Sequence, residues 1–150
     1  MCCASKHFHI AVTLLLLGWA VTTVSTQAPT RFHGRLSIVP VDFSTVGTTS
    51  GSGEVTAKIQ GRDLQLELQF AGLSSQATRA EIRAGAKGQR GPVEFAFNVP
   101  AVQLTTERLH HTVTLTDTQL HELLEERYYL QIQTTGNPDG EIRGWLLRDE

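Results

Sequence analysis

The sequence predicts an all-β protein, an antiparallel Greek-key β-sandwich or barrel with one short helix. Apolar and polar residues alternate along several segments, which is typical of strands with one buried and one solvated face. Glycine- and proline-containing turns separate about eight such segments at spacings of roughly 8–12 residues. Only residues 116–126 combine apolar residues at helical spacing with a helix-start signal.

The chain begins with the three parts of a secretory signal peptide, which we expect to span residues 1–27. Lys6 precedes an apolar run at residues 10–21, and a polar segment with small residues follows. The alternative is a membrane anchor, but this run is shorter than the ~20 apolar residues that cross a bilayer. We therefore expect residues 28–150 to form one secreted or periplasmic domain, with no membrane span after leader removal. Cys2 and Cys3 both lie in the leader, so the exported chain would have no disulfide.

The composition excludes two classes of protein. The chain has 13 Lys and Arg against 15 Asp and Glu, so a basic nucleic-acid-binding surface is not expected. Hydrophobic residues make up 40% and charged residues 19%, which is too apolar for intrinsic disorder.

The predicted strands follow from their alternation. The clearest pair is a hairpin over residues 53–71 that turns at 61–63, where Val55, Ala57 and Ile59 alternate with polar residues. The other predicted strands cover residues 30–41, 78–84, 93–99, 110–115, 128–134 and 141–147.

The single helix signal begins at Thr116, which has capping-box spacing to Gln119. Leu120, Leu123 and Leu124 then give an apolar face. The last hairpin turns at residues 137–140 (NPDG), where proline presets φ and glycine takes the positive-φ position.

Three motifs resemble the CHRD domain, a module named after chordin and found also in bacterial exported proteins. The first is AEIRAG at residues 80–85, which continues into GQRGPV at 88–93. The second is the helix signal ahead of Tyr128, and the third is YLQIQT at 129–134 followed by NPDGEIRG at 137–144. The resemblance implies an immunoglobulin-like β-barrel distantly similar to copper/zinc superoxide dismutase, and no established activity. In chordin such modules belong to an extracellular protein that binds growth factors.

The sequence departs from the family pattern at positions that could hold a metal. Many members have His-Ile-His where this chain has Glu81, Ile82 and Arg83, and they often have histidine where it has Gln133. Arginine cannot become a ligand, because it does not give up its charge. We therefore expect no metal and no cofactor.

The histidines after the leader are few and have no H-x-H spacing; they are His33, His110, His111 and His121. Neighbouring residues of a strand point to opposite faces, so His110 and His111 would not converge. The alternative function, a metal-binding or superoxide-dismutase-like metalloprotein, would need these side chains to meet in the fold. No G-x-S-x-G motif is present, and Glu125 and Glu126 are expected to face solvent, so we expect no enzyme activity.

The tripeptide Glu-Ile-Arg occurs twice, at residues 81–83 and 141–143. On a strand, its Glu and Arg share one face, with Ile on the other. This pattern indicates either a charged recognition patch, joined by Gln131 or Gln133, or a ladder of cross-strand ion pairs that fixes register. The predicted binding or framework residues are Glu81, Arg83, Gln133, Glu141, Arg143 and Trp145.

Together these observations predict an exported, non-catalytic CHRD-type module with a binding or structural role. We expect its partner to be a protein or a cell-envelope component, and not a nucleic acid. The glycine-rich loop at residues 85–91 adds a small basic spot through Lys87 and Arg90. Self-assembly through exposed edge strands is a further possibility.

Overall fold

The computed structural model describes residues 30–38, 47–100 and 108–150. The predicted signal peptide lies outside these residues. Within them the chain forms one helix and nine strands, all paired antiparallel, which confirms the all-β prediction. In chain order the elements are β1 (Arg31–Ile38), β2 (Ser52–Gln60), β3 (Asp63–Ala71), β4 (Ala77–Ala84), β5 (Val93–Asn98), β6 (Arg108–Thr114), α1 (Asp117–Leu124), β7 (Tyr128–Thr134), β8 (Ile142–Trp145) and β9 (Leu147–Arg148).

The strands form one strongly curved sheet in the order β5-β4-β7-β8-β1-β2-β3-β6, with β9 paired to β1. Its two end strands approach each other, because Phe97 of β5 stacks on His111 of β6 with ring centres 4.3 Å apart. The sheet is therefore nearly closed into a barrel. Its interior is filled by alternate residues of the strands, including Phe32, Leu68 and Ile132.

The alternation in the sequence sets which side chains enter this core. In the β2–β3 hairpin, Val55 pairs with Leu68 and Ala57 with Leu66, and all four are buried. Gly61 closes the turn at φ +65°, a backbone conformation that glycine adopts without strain. The hairpin thus matches the prediction in position and in buried face.

Strand β1 lies in the middle of the strand order, between β8 and β2. Its first six residues pair with β2, and its last two, Ser37 and Ile38, pair with β8. A side chain at Gly34 would lie 2.7 Å from the carbonyl oxygen of Trp145, and one at Gly144 would collide with the backbone of Arg35. Glycine at both positions therefore allows β1 and β8 to approach closely.

Helix α1 begins as predicted. Thr116 accepts a hydrogen bond from the amide of Gln119, whose side chain accepts one from the amide of Thr116, so both halves of the capping box form. Leu123 is fully buried on the face that meets the core. In the part of the chain that the structure describes, no helix has the length and apolar character needed to cross a membrane.

Candidate functional site

The outer face of strands β4, β7 and β8 carries a group of polar and aromatic side chains. Pairing register aligns Glu81 with Gln131 and Gln131 with Arg143. The next row contains Arg83, Tyr129 and Trp145. Paired residues of neighbouring strands point to the same side of a sheet. We call this group the Arg143 cluster; its members are Glu81, Arg83, Tyr129, Gln131, Arg143 and Trp145.

The centre of the cluster is Arg143, a residue of which only 6% is exposed. Its Nε and Nη2 atoms both donate to Oε1 of Gln131, at 3.2 and 2.8 Å. Its Cζ atom lies 4.7 Å from the centre of the Tyr129 ring and 6.0 Å from that of Trp145. A cation over an aromatic face is attracted by the electrons of the ring.

Both aromatic rings are fixed by hydrogen bonds to the loop between β4 and β5. The hydroxyl of Tyr129 accepts from the amide of Gly91 at 3.1 Å, and Trp145 Nε1 donates to the carbonyl of Gly85 at 3.1 Å. The two rings lie 5.2 Å apart at 43°. The glycine-rich loop therefore positions the rings of Tyr129 and Trp145 beside Arg143. Tyr129 was not among the predicted site residues, although it lies two positions from Gln131 on the same strand.

Gln131 is also held rigidly. Its Nε2 donates to the carbonyl of Asp139 at 3.2 Å, which leaves its oxygen for Arg143. Gly140 packs directly on the amide, since a Cβ there would lie 2.6 Å from Nε2. At φ +112° this position favours glycine on backbone grounds as well. The predicted turn at residues 137–140 therefore orients Gln131, which accepts hydrogen bonds from Arg143.

The ion pairs of this face differ from the expected cross-strand ladder. Glu81, only 2% exposed, accepts from Nε of Arg83 at 3.0 Å and from Nη1 of Arg79 at 3.4 Å. Both partners lie on its own strand, β4. Among the described residues, no carboxylate contacts Arg143.

The electrostatic surroundings of Arg143 are unfavourable for a cation. Burial lowers its pKa; the Tyr129 hydroxyl opposes this, while Arg90 and Arg83 lower it further. Arginine nevertheless stays charged at neutral pH. The cluster therefore holds a buried positive charge next to other positive charges.

Glu141 does not join this cluster. Its fully buried carboxylate accepts from the amides of Ser74 and Ser50 at 2.6 and 3.0 Å, from Thr134 Oγ1 at 2.6 Å and from Asn137 Nδ2 at 3.3 Å. Burial raises its pKa, but these hydrogen bonds outweigh it, so the pKa lies below the usual value. Glu141 ties together three loops at one end of the barrel.

The remaining predicted residue, Gln133, lies on β7 opposite Arg79, half-buried at the margin of the outer face. The structure therefore brings four of the predicted site residues together, namely Glu81, Arg83, Arg143 and Trp145. It places Gln133 at their edge and Glu141 elsewhere.

The histidines occupy different surfaces. His33 bonds to Asp149 at 2.6 Å, and His121 is exposed on α1. His111 faces the seam between β5 and β6; burial and then its neighbour His110 lower its pKa. Within residues 30–38, 47–100 and 108–150, no three histidine, cysteine, aspartate or glutamate side chains form a group that could hold a metal ion.

The fold and the cluster together define an antiparallel β-barrel domain with a buried, cationic site on one outer face. A family model for the CHRD domain matches residues 39–146, which include the whole cluster. The chain belongs to the CHRD domain family. No curated protein and no solved structure matches it.

Proposed function

We propose that this CHRD-domain protein is an exported, non-catalytic binding module that recognises its partner through the Arg143 cluster. One observation carries the proposal: Arg143 is almost fully buried, and within the described residues no carboxylate neutralises it. Burying an ion costs several kcal/mol unless a counter-charge and hydrogen bonds compensate. Gln131 supplies only a neutral oxygen. An anionic group of a partner would supply the missing charge.

The chemistry of the cluster supports binding more than catalysis. At neutral pH arginine keeps its proton and glutamine has none to transfer. Tyr129 and Trp145 use their polar atoms to hold the loop between β4 and β5. Arginine, tyrosine and tryptophan are also the residues that most often dominate the energy of binding interfaces.

The cellular location of the protein is proposed from its sequence. The signal-peptide pattern at residues 1–27 and the resemblance to chordin modules support a secreted or periplasmic protein. On the same resemblance we propose that the barrel is an immunoglobulin-like or superoxide-dismutase-like Greek-key fold. The partner would then be an extracellular protein or a component of the cell envelope.

The test compares residues 28–150 with the variants Arg143→Gln and Arg143→Lys in binding to isolated envelope and extracellular-matrix material. We expect Arg143→Gln to lose binding and Arg143→Lys to lose most of it, because lysine keeps the charge but lacks the planar fork. Arg31→Gln is the matched control, since Arg31 is exposed at the start of β1, away from the position beside Trp145. Near-ultraviolet circular dichroism checks that each variant is folded. Equal binding by the folded Arg143 variants and the unmodified domain would contradict the proposal.

A further inference from the structure

The guanidinium of Arg143 is satisfied on one side and open on the other. Gln131 Oε1 occupies the side fork formed by Nε and Nη2. The second N–H of Nη2 and both N–H groups of Nη1 remain, and the hydrogen bonds of Arg143 to described residues use only Nε and Nη2. Because the guanidinium is planar, one N–H from each of these nitrogens runs parallel at its tip. Such a pair of donors matches the two oxygens of a carboxylate.

The surroundings of this guanidinium are positively charged. Arg143 keeps 6% of its surface exposed, while Arg83 is half-buried and Arg90 is exposed. Both lie close enough to lower the pKa of Arg143 by charge repulsion. An anion that reaches the tip would therefore be attracted by three cations, of which only Arg83 is paired with Glu81.

The indole of Trp145 lies beside the guanidinium, with its ring centre 6.0 Å from Cζ, and remains partly exposed. Its Nε1 bond to Gly85 turns the polar atom inward and fixes the ring. The exposed part therefore offers a rigid apolar surface next to the anion site. This combination suits a carboxylate carried on a ring whose C–H face can lie against the indole.

We propose that the Arg143 cluster binds the carboxylate of an acidic sugar in a polysaccharide of the cell exterior; the inference rests on the proposed function. The carboxylate meets the guanidinium tip, and the sugar ring contacts Trp145. Further carboxylates of the same polymer meet Arg90 and Arg79, both exposed on the same side.

The test uses residues 28–150, in which Trp145 is the only tryptophan because Trp19 lies in the leader. Its fluorescence and isothermal titration calorimetry would follow binding of an oligogalacturonate. The methyl ester of the same oligomer keeps the sugar ring and removes the charge. We expect the ester to bind about tenfold more weakly or worse, as loss of charge-assisted hydrogen bonds implies. Arg143→Gln should weaken binding of the free acid by a similar factor, and Arg31→Gln, at the start of β1, should leave this binding unchanged.

Two further probes separate this inference from the proposed function. Poly-L-glutamate represents an acidic protein partner, and dextran sulfate represents a sulfated polymer. If either binds as tightly as the oligogalacturonate and depends on Arg143, the acidic-sugar assignment is overturned while the binding function stands. Equal affinity for the ester and the free acid would overturn the proposal that the cluster binds a carboxylate. If no anion binds in an Arg143-dependent way, both proposals fail.

Discussion

Glu141→Gln should destabilise the fold by about 2–3 kcal/mol, because it removes the charged acceptor that joins three loops. Hydrogen bonds to a charged group contribute about 1.5–3 kcal/mol and those between neutral groups about 0.5–1.5. Glutamine can keep its oxygen toward the amides of Ser50 and Ser74, which cannot turn away. Each of these bonds then loses about 1 kcal/mol of charge assistance. The NH2 group of the new glutamine would face Thr134, whose hydroxyl can rotate to accept a hydrogen bond. It would also face Asn137 Nδ2, and the hydrogen bond from that donor would be lost.

The assay is urea denaturation at pH 7, followed by Trp145 fluorescence. With a slope of about 1–3 kcal/mol per molar, the loss lowers the midpoint by about 0.7–3 M. Glu54→Gln is the matched control, because Glu54 is exposed on β2 and should change stability by less than about 0.5 kcal/mol. A Glu141→Gln midpoint as little changed as that of the control would refute the argument.

The same carboxylate gives a pH dependence of known sign. The pKa of Glu141 is lower in the folded protein than usual, so the folded state holds its proton less tightly than the unfolded state. Its stabilisation is present above the unfolded pKa of about 4.3 and is lost as the pH falls through the folded value. The stability difference between the unmodified domain and Glu141→Gln should therefore shrink below about pH 4. A difference that stays constant down to pH 2.5 would contradict this assignment.

Three further outcomes are expected. Tyr129→Phe removes the hydrogen bond from the Gly91 amide and should lower the free energy of unfolding in urea by about 1–2 kcal/mol. It should also alter the fluorescence of Trp145, and an unchanged spectrum would contradict the role of Tyr129 in fixing the loop. Thr116→Ala removes the helix cap and should cost about 1 kcal/mol, whereas the exposed neighbour Thr118 gives a control substitution. Zinc or copper should leave the melting temperature unchanged, because the described histidines lie on separate surfaces; a specific site at ~100 times its dissociation constant would add about 2.7 kcal/mol.

Most of the fold could be predicted because its strands alternate strictly. The hairpin of β2 and β3, strand β7 and the capped start of α1 lie where the sequence pattern predicts them. Strand β9 was missed as a separate element, since residues 141–147 read as one strand. Fully buried Leu146 separates the two strands, although Leu147 and Arg148 pair with β1 in the same antiparallel register as Ile142 and Arg143. Nothing local in the sequence indicates this interruption.

The site was predictable only in part. Period-two alternation correctly placed Glu81 and Arg83 on one face of β4, and Arg143 and Trp145 on one face of β8. The same reasoning failed for Glu141, which precedes the first residue of β8 and so does not follow its alternation. Its partners Ser50 and Ser74 are 91 and 67 residues away in the chain. Contacts between residues so far apart along the chain form only when the barrel is assembled. The sequence of a single protein carries no signal for them.

The central position of β1 has a consequence for when the domain can fold. Its neighbours are β2, which follows it directly, and β8 and β9, which come much later in the sequence. A growing chain therefore cannot complete the barrel until residues 142–148 are available. Domains dominated by such distant pairings fold slowly, in roughly milliseconds to seconds. The order of the strands thus leaves β1 without one of its two neighbours until β8 and β9 have been made.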